Sequence, residues 1–306
     1  KSGSRSALNR RERGLILNLV LSHMPQRLEI YQSLWAMEQR QPGIPEAPAP
    51  VHFERIKAAG YQGVCIDPNV EEINDALALA PLFKDHQLSC MVNAFPNTID
   101  ELTPLLDMAS ELQAKQVNII GGVMPLTVLD TIPVVEHWIR VAAAYDFQVL
   151  FETHRNATLN DLFATLEILQ AVPELRLCAD LSHFVVDREI SLPLNPIQET
   201  YFEHILQRSD SFQGRISNNE QIQISVQFPQ HQAWVTQFKS WWQAGISAWS
   251  ARQTEDATLR FLVELGPPPY AITDQHQQEL IDRWEEALII RAWVEAIWAD
   301  LAPVTN

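Results

Sequence analysis

The sequence predicts an α/β fold, a single closed (β/α)8 barrel. Eight short runs rich in apolar residues recur along the 306 residues, and helical patterns fill the intervals between them. Strict alternation of strand and helix implies right-handed βαβ units and a parallel sheet; eight units in roughly 250 to 300 residues match a closed barrel. An open doubly wound sheet is the alternative, but no Gly-rich nucleotide fingerprint follows any of the runs.

The first four strand candidates are GLILNLVL (14–21), YQGVCIDP (61–68), LSCMVNAF (88–95) and QVNIIGG (116–122). QVLFETH (148–154), LRLCADLSH (175–183), FQGRIS (212–217) and LRFLVELG (259–266) complete the eight. Most are continuous apolar runs, as parallel strands buried on both faces require. Among the helical intervals, TIDELTPLLDMASELQAK opens with Thr98 and Glu101 at capping-box spacing. TLNDLFATLEILQAV carries Leu159, Leu162, Leu166 and Leu169 as an amphipathic stripe. VEEINDALALAPLF, LDTIPVVEHWIRVAAAYD and QQELIDRWEEALIIRAWVEAIWADL read in the same way. Two stretches lengthen the first and seventh strand-to-helix connections: the Pro-rich 25–50 and the aromatic-rich 218–249. Long connections in compact domains usually serve as lids or binding loops. The domain is expected to span 14–306 behind a flexible tail at 1–13, whose basic, small-residue composition lacks the apolar segment of a secretion signal.

Composition narrows the function. The formal net charge is −16, which repels a phosphate backbone and argues against nucleic acid as a partner. No run of about 18 apolar residues exists, so no membrane span is expected. Cys65, Cys90 and Cys178 each sit inside an apolar run without metal-type spacing, which reads as buried free thiols in a reducing, cytoplasmic setting.

Polar residues then collect at the ends of the later strands. The fifth ends with Glu152 and His154, the sixth with Asp180 and His183; the seventh carries Gln213, Arg215 and Ser217, and the eighth ends with Glu264. Residues two apart on a strand share a face, so Glu152 points with His154 and Gln213 with Arg215. Singly, each reads as a rim residue or a satisfied core group. Together they place three carboxylates at one end of one barrel, where they would repel unless a cation sat among them. Carboxylate and imidazole ligands suit a divalent metal. Of the other histidines, only His23, after the first run, falls near this end.

FETHRNATLNDL, LCADLSHFVVDRE, FQGRISNNEQIQ and VELGPPPY together resemble the xylose isomerase-like TIM-barrel family, which includes sugar phosphate isomerases/epimerases and apurinic endonucleases. The resemblance covers about residues 14 to 300 and implies one divalent cation per site, Mn²⁺, Mg²⁺ or Zn²⁺. Glu152, Asp180 and Glu264 match three of the family's four ligands, and His183 completes its Asp-x-x-His motif, which lines the substrate pocket. Relatives with this kind of seventh-strand segment read His-Gly-Arg where this chain has Gln213-Gly214-Arg215, so Gln213 would replace the fourth ligand, with Ser217 as the alternative. A Gln carbonyl oxygen ligates hard cations and holds Zn²⁺ less well than imidazole does. The resemblance further implies proton transfer by Glu152 and Glu264 on a small sugar or polyhydroxy ketone. His154, His183 and Arg215 would bind its hydroxyls, and a homo-oligomer is compatible with the sequence. A lyase or dehydratase of the same superfamily, and a sugar-binding barrel that has lost its metal, are the alternatives. An apurinic endonuclease would need more strand-end histidines and a basic face.

Overall fold

Eight parallel strands pair in chain order and close on themselves, β1 with β8. The computed structural model describes residues 26–301 of the protein. The strands are β1 Arg27–Ser33, β2 Gly63–Ile66, β3 Ser89–Ala94, β4 Gln116–Ile119, β5 Gln148–Glu152, β6 Leu177–Ala179, β7 Ser209–Gln213 and β8 Thr258–Val263. The helices are α1 Ala49–Ala58, α2 Ile73–Leu77, α3 Ala80–His86, α4 Leu102–Glu111, α5 Val128–Ala142 and α6 Leu162–Ala171. They continue with α7 Leu181–Asp187, α8 Pro196–Gln207, α9 Gln232–Arg252 and α10 Arg283–Leu301. No helix among the described residues is long and apolar enough to cross a membrane.

The first strand is not where the apolar pattern put it. Residues 14–21 and His23 lie outside the described residues, and the barrel closes without them. β1 is RLEIYQS, inside the stretch expected to be a long loop. Its charged residues hid it: Glu29 Oε2 accepts from Arg260 Nε on β8 at 3.1 Å and from the Tyr31 hydroxyl at 3.2 Å. The seventh connection is shorter than expected as well, because α9 begins at Gln232. Its aromatic residues are helix-face packing: Trp234, Phe238, Trp241, Trp242 and Trp249 recur at helical intervals and are buried. Glu101 does not form the expected capping box with Thr98; its carboxylate reaches back to the Asn97 backbone N–H at 2.7 Å, and α4 starts one residue after it. The three cysteines are free and buried.

Two cores hold the barrel. The large one lies between strands and helices, and a small one of Tyr31, Cys65, Met91 and Leu262 fills the barrel interior. Tyr31 fits there because Gly63 has no side chain: a Cβ at that position would meet the Tyr31 ring at 2.1 Å and the Ser89 carbonyl oxygen at 2.5 Å. This apolar plug closes the barrel below the polar strand ends. Arg283, at the start of α10, donates to the carbonyls of Ala36, Glu38 and Leu265, tying together the connections that follow β1 and β8.

Gly63→Ala is expected to destabilise the protein by about 1–3 kcal/mol through overpacking against Tyr31. Urea unfolding measures it; an unchanged midpoint would show that the interior accommodates the methyl group.

Candidate active site at the C-terminal mouth of the barrel

Strand ends deliver the site. Glu152 closes β5 and Gln213 closes β7, while Asp180 and Glu264 directly follow β6 and β8. Arg215 lies two residues beyond β7, and all five are buried. Asp180 is the N-cap of α7: its Oδ1 accepts from the Ser182 backbone N–H at 3.0 Å and the Ser182 hydroxyl at 2.5 Å. That leaves Oδ2 for Arg215. The guanidinium bridges two strands, with Nη1 2.7 Å from Asp180 Oδ2 and Nη2 2.7 Å from Glu264 Oε2. The Gln213 amide donates to Glu152 Oε2. Glu152 Oε1 and Gln213 Oε1 remain buried without a partner.

The two histidines stack, ring centroids 3.9 Å apart. Their partners fix the tautomers. His154 Nδ1 lies 2.6 Å from the Arg155 carbonyl oxygen, which only accepts, so Nδ1 carries the hydrogen and Nε2 has a free lone pair. His183 Nε2 lies 3.1 Å from Arg215 Nη1, which only donates, so the His183 proton is on Nδ1, a buried atom without a partner. The Ser217 hydroxyl donates to the Ser182 carbonyl at 3.2 Å.

The remaining strands contribute residues that the apolar reading passed over. Gln116 Nε2 donates to Asn118 Oδ1 at 2.7 Å, and Asn118 Nδ2 to Asn93 Oδ1 at 2.9 Å. Asn93 Nδ2 then donates to Asp67 Oδ1 at 2.8 Å and to Glu264 Oε1 at 3.3 Å. Asn93 and Asn118 each interrupt an apolar run and Asp67 closes one, and that is the signal by which the sequence could have shown them. Above them opens a cavity of about 450 Å³ whose walls include Trp35, Asp67, Phe95, Glu152, Glu264 and Tyr270. Tyr270 stands edge-on to Trp35, and the Arg215 guanidinium carbon lies 4.9 Å from the Tyr270 ring centroid.

Charge here is out of balance. Four carboxylates, Asp67, Glu152, Asp180 and Glu264, surround one guanidinium. Burial raises Glu152 well above the usual carboxyl range, with Glu264 and Asp180 adding to it. Burial pushes Glu264 up to about 8 and Asp67 to about 6, and raises Asp180 too, against the pull of Arg215. For Arg215 burial opposes the charge, but Asp180 and Glu264 outweigh it and keep the guanidinium protonated. Burial lowers His154 to about 4 and His183 well below its usual value, so both rings are neutral at pH 7.

These residues are able to hold a cation. Oxygen atoms of Glu152, Asp180 and Glu264 lie within 4.8 Å of one another, and the unpartnered Glu152 Oε1 and Gln213 Oε1 add to an all-oxygen donor set. Surplus negative charge and oxygen donors suit a hard divalent ion. Ligand atoms of Glu152, His154 and His183 also lie within 4.8 Å of one another, while His183 Nε2 is engaged by Arg215.

The fold is xylose isomerase-like. The chain is similar to D-allulose 3-epimerase from Methylomonas sp. in complex with D-allulose, with TM-score 0.58, 12% identity, and 90% of this chain and 99% of that one covered. A sugar phosphate isomerase/epimerase from Parabacteroides distasonis ATCC 8503 gives TM-score 0.56 at 10% identity, covering 92% and 96%. A xylose isomerase-like TIM barrel protein from Mycobacterium smegmatis in complex with magnesium gives TM-score 0.51 at 12% identity, covering 90% and 98%. At such identities the likeness is one of fold. No protein-family model matches the sequence, and no curated protein matches it.

The raised Glu264 carboxyl has a measurable consequence. The unfolded chain loses this proton near the ordinary 4.5, whereas the folded protein keeps it until about 8. Between these values the folded state binds more protons, so the stability Glu264 contributes is full below about 4.5 and is lost as pH rises to about 8. With a chelator present, urea unfolding should show wild type less stable at pH 8 than at pH 5, and Glu264→Gln should remove on the order of 2 kcal/mol of that difference. An unchanged pH slope in the variant would contradict it.

Proposed function

We propose that the protein is an isomerase or epimerase of a small sugar or polyhydroxy ketone, working by proton transfer between carbon and a pair of buried glutamates. One observation carries the reading: Glu152 and Glu264 face each other within 4.8 Å at the mouth of a cavity, both with carboxyls raised toward neutrality. Such a pair shares its protons, one member ionised while the other is protonated. A carboxyl that titrates near the working pH serves as acid or base with equal ease.

Glu152 Oε1 has no partner in the protein and takes the proton from the carbon next to the substrate carbonyl. Glu264, held by Arg215 and Asn93, returns a proton to the neighbouring carbon or to the opposite face. The neutral His183 donates from Nδ1 to a substrate oxygen, and His154 Nε2 accepts from a hydroxyl. Arg215 keeps Glu264 and Asp180 in place while the proton moves. Trp35 and Tyr270 cover the less polar face of the substrate and limit water at the site. A divalent cation would be held by Glu152, Asp180, Glu264 and the Gln213 amide oxygen; when bound it supplies a Lewis acid that acidifies the C–H between carbonyl and hydroxyl. The Mycobacterium smegmatis relative in complex with magnesium and the epimerase in complex with D-allulose support this reading.

Incubation of a ketose panel that includes D-allulose and L-ribulose in D₂O with Mn²⁺, followed by NMR, tests it. Wild type is expected to exchange the hydrogen next to the carbonyl of at least one member, and Glu152→Gln and Glu264→Gln to slow this by about 10²–10⁴-fold. No exchange with any member would refute the proposal. Gln213 has its own test. If its amide oxygen is the fourth ligand, Gln213→His raises Zn²⁺ affinity by about 10- to 100-fold, by analogy with the losses on mutating the groups that support metal ligands. Isothermal titration of both proteins decides it, and equal affinities would remove Gln213 from the ligand set.

A further inference from the structure

Asp67 is the carboxylate that neither Arg215 nor the cation cluster accounts for. It directly follows β2, lines the cavity, and is absent from the group of oxygens that lie within 4.8 Å of one another. Its Oδ1 is occupied by Asn93. Its Oδ2 is a buried atom with no hydrogen-bond partner in the protein. Two donors of the site are already committed: Arg215 to Asp180 and Glu264, and the Asn93 amide to Asp67 Oδ1 and Glu264 Oε1.

The amide string holds this arrangement in one orientation. Asn93 Oδ1 accepts from Asn118, whose own oxygen accepts from Gln116, so the Asn93 amide cannot turn over without breaking the string. Asn93 therefore presents N–H to both carboxylates at once. Asp67 is fixed with one oxygen satisfied and the other buried and unpartnered, in a residue that lines the cavity. A buried acceptor without a donor is unfavourable unless a ligand supplies one.

We propose that Asp67 is a substrate-binding residue, whose free oxygen accepts a hydrogen bond from a hydroxyl of the polyol at a position other than the one the glutamate pair acts on. This rests on the functional reading above and deepens it: the substrate carries a hydroxyl donor over β2, and a sugar lacking that hydroxyl is discriminated against. A site built to bond a substrate hydroxyl rejects the analogue that lacks it, because its own polar group is left unpaired.

The probes are D-allulose and the other ketohexoses with their monodeoxy analogues, titrated calorimetrically into the Mn²⁺-loaded protein. Asp67→Asn and Asp67→Ala should each bind the preferred ketohexose about 10- to 100-fold more weakly than wild type does. They should bind one deoxy analogue as wild type binds it, and that analogue identifies the hydroxyl. Thermal unfolding of both variants checks that they are folded. Equal affinity for the parent sugar in wild type and either folded variant overturns this inference and leaves the functional reading standing. Failure of wild type to bind any member overturns the reading and the inference together.

Discussion

The ion pairs of Arg215 are the interaction on which the site depends. A fully buried guanidinium reaches Asp180 and Glu264 at 2.7 Å each, so residues that follow three different strands are locked to one another. Taking these charges out of water is costly, and only close, hydrogen-bonded pairing recovers the loss. The same guanidinium fixes the His183 tautomer through Nε2 and supports the Tyr270 wall by its place over the ring. Removing it would leave two carboxylates buried without a counter-charge and free a ring nitrogen, so it binds the chemistry of the site to the stability of the barrel.

One guanidinium does not balance four carboxylates. Burial raises the carboxyls of Glu152, Glu264 and Asp67, and for the two glutamates the neighbouring carboxylates add to it. Three remedies exist: protonation, a bound cation, or donors on a ligand. The proposed chemistry uses all three, with a proton shared by the glutamates, a cation on oxygen ligands and a hydroxyl on Asp67. An isolated carboxylate in this setting would simply protonate; several together make a site that responds to what enters it.

The sequence showed the later strands better than the first. Glu152, Asp180, Gln213, Arg215 and Glu264 were legible because each interrupts or closes an apolar run, and the pleat then dictates which ones share a face. β1 was not legible: Arg27 and Glu29 give it a polar beginning, which only the pairing of Glu29 with Arg260 on the neighbouring strand explains. Nor could spacing reveal that Arg215 would bridge Asp180 and Glu264, because that contact joins residues 35 and 49 positions apart. The amides of Asn93 and Asn118 stood in plain view inside strands. Their meaning depends on the barrel closing, which puts β2, β3 and β8 around one mouth.

We propose that this surplus of carboxylate oxygen seats a hard divalent cation beside a proton-transferring glutamate pair. Anomalous diffraction from crystals soaked in Mn²⁺ tests it most directly. One strong peak enclosed by Glu152, Asp180 and Glu264 is expected, with the Gln213 amide oxygen turned toward it. A fully ordered site that shows no peak there at millimolar Mn²⁺, with Arg215 still spanning Asp180 and Glu264, would contradict it.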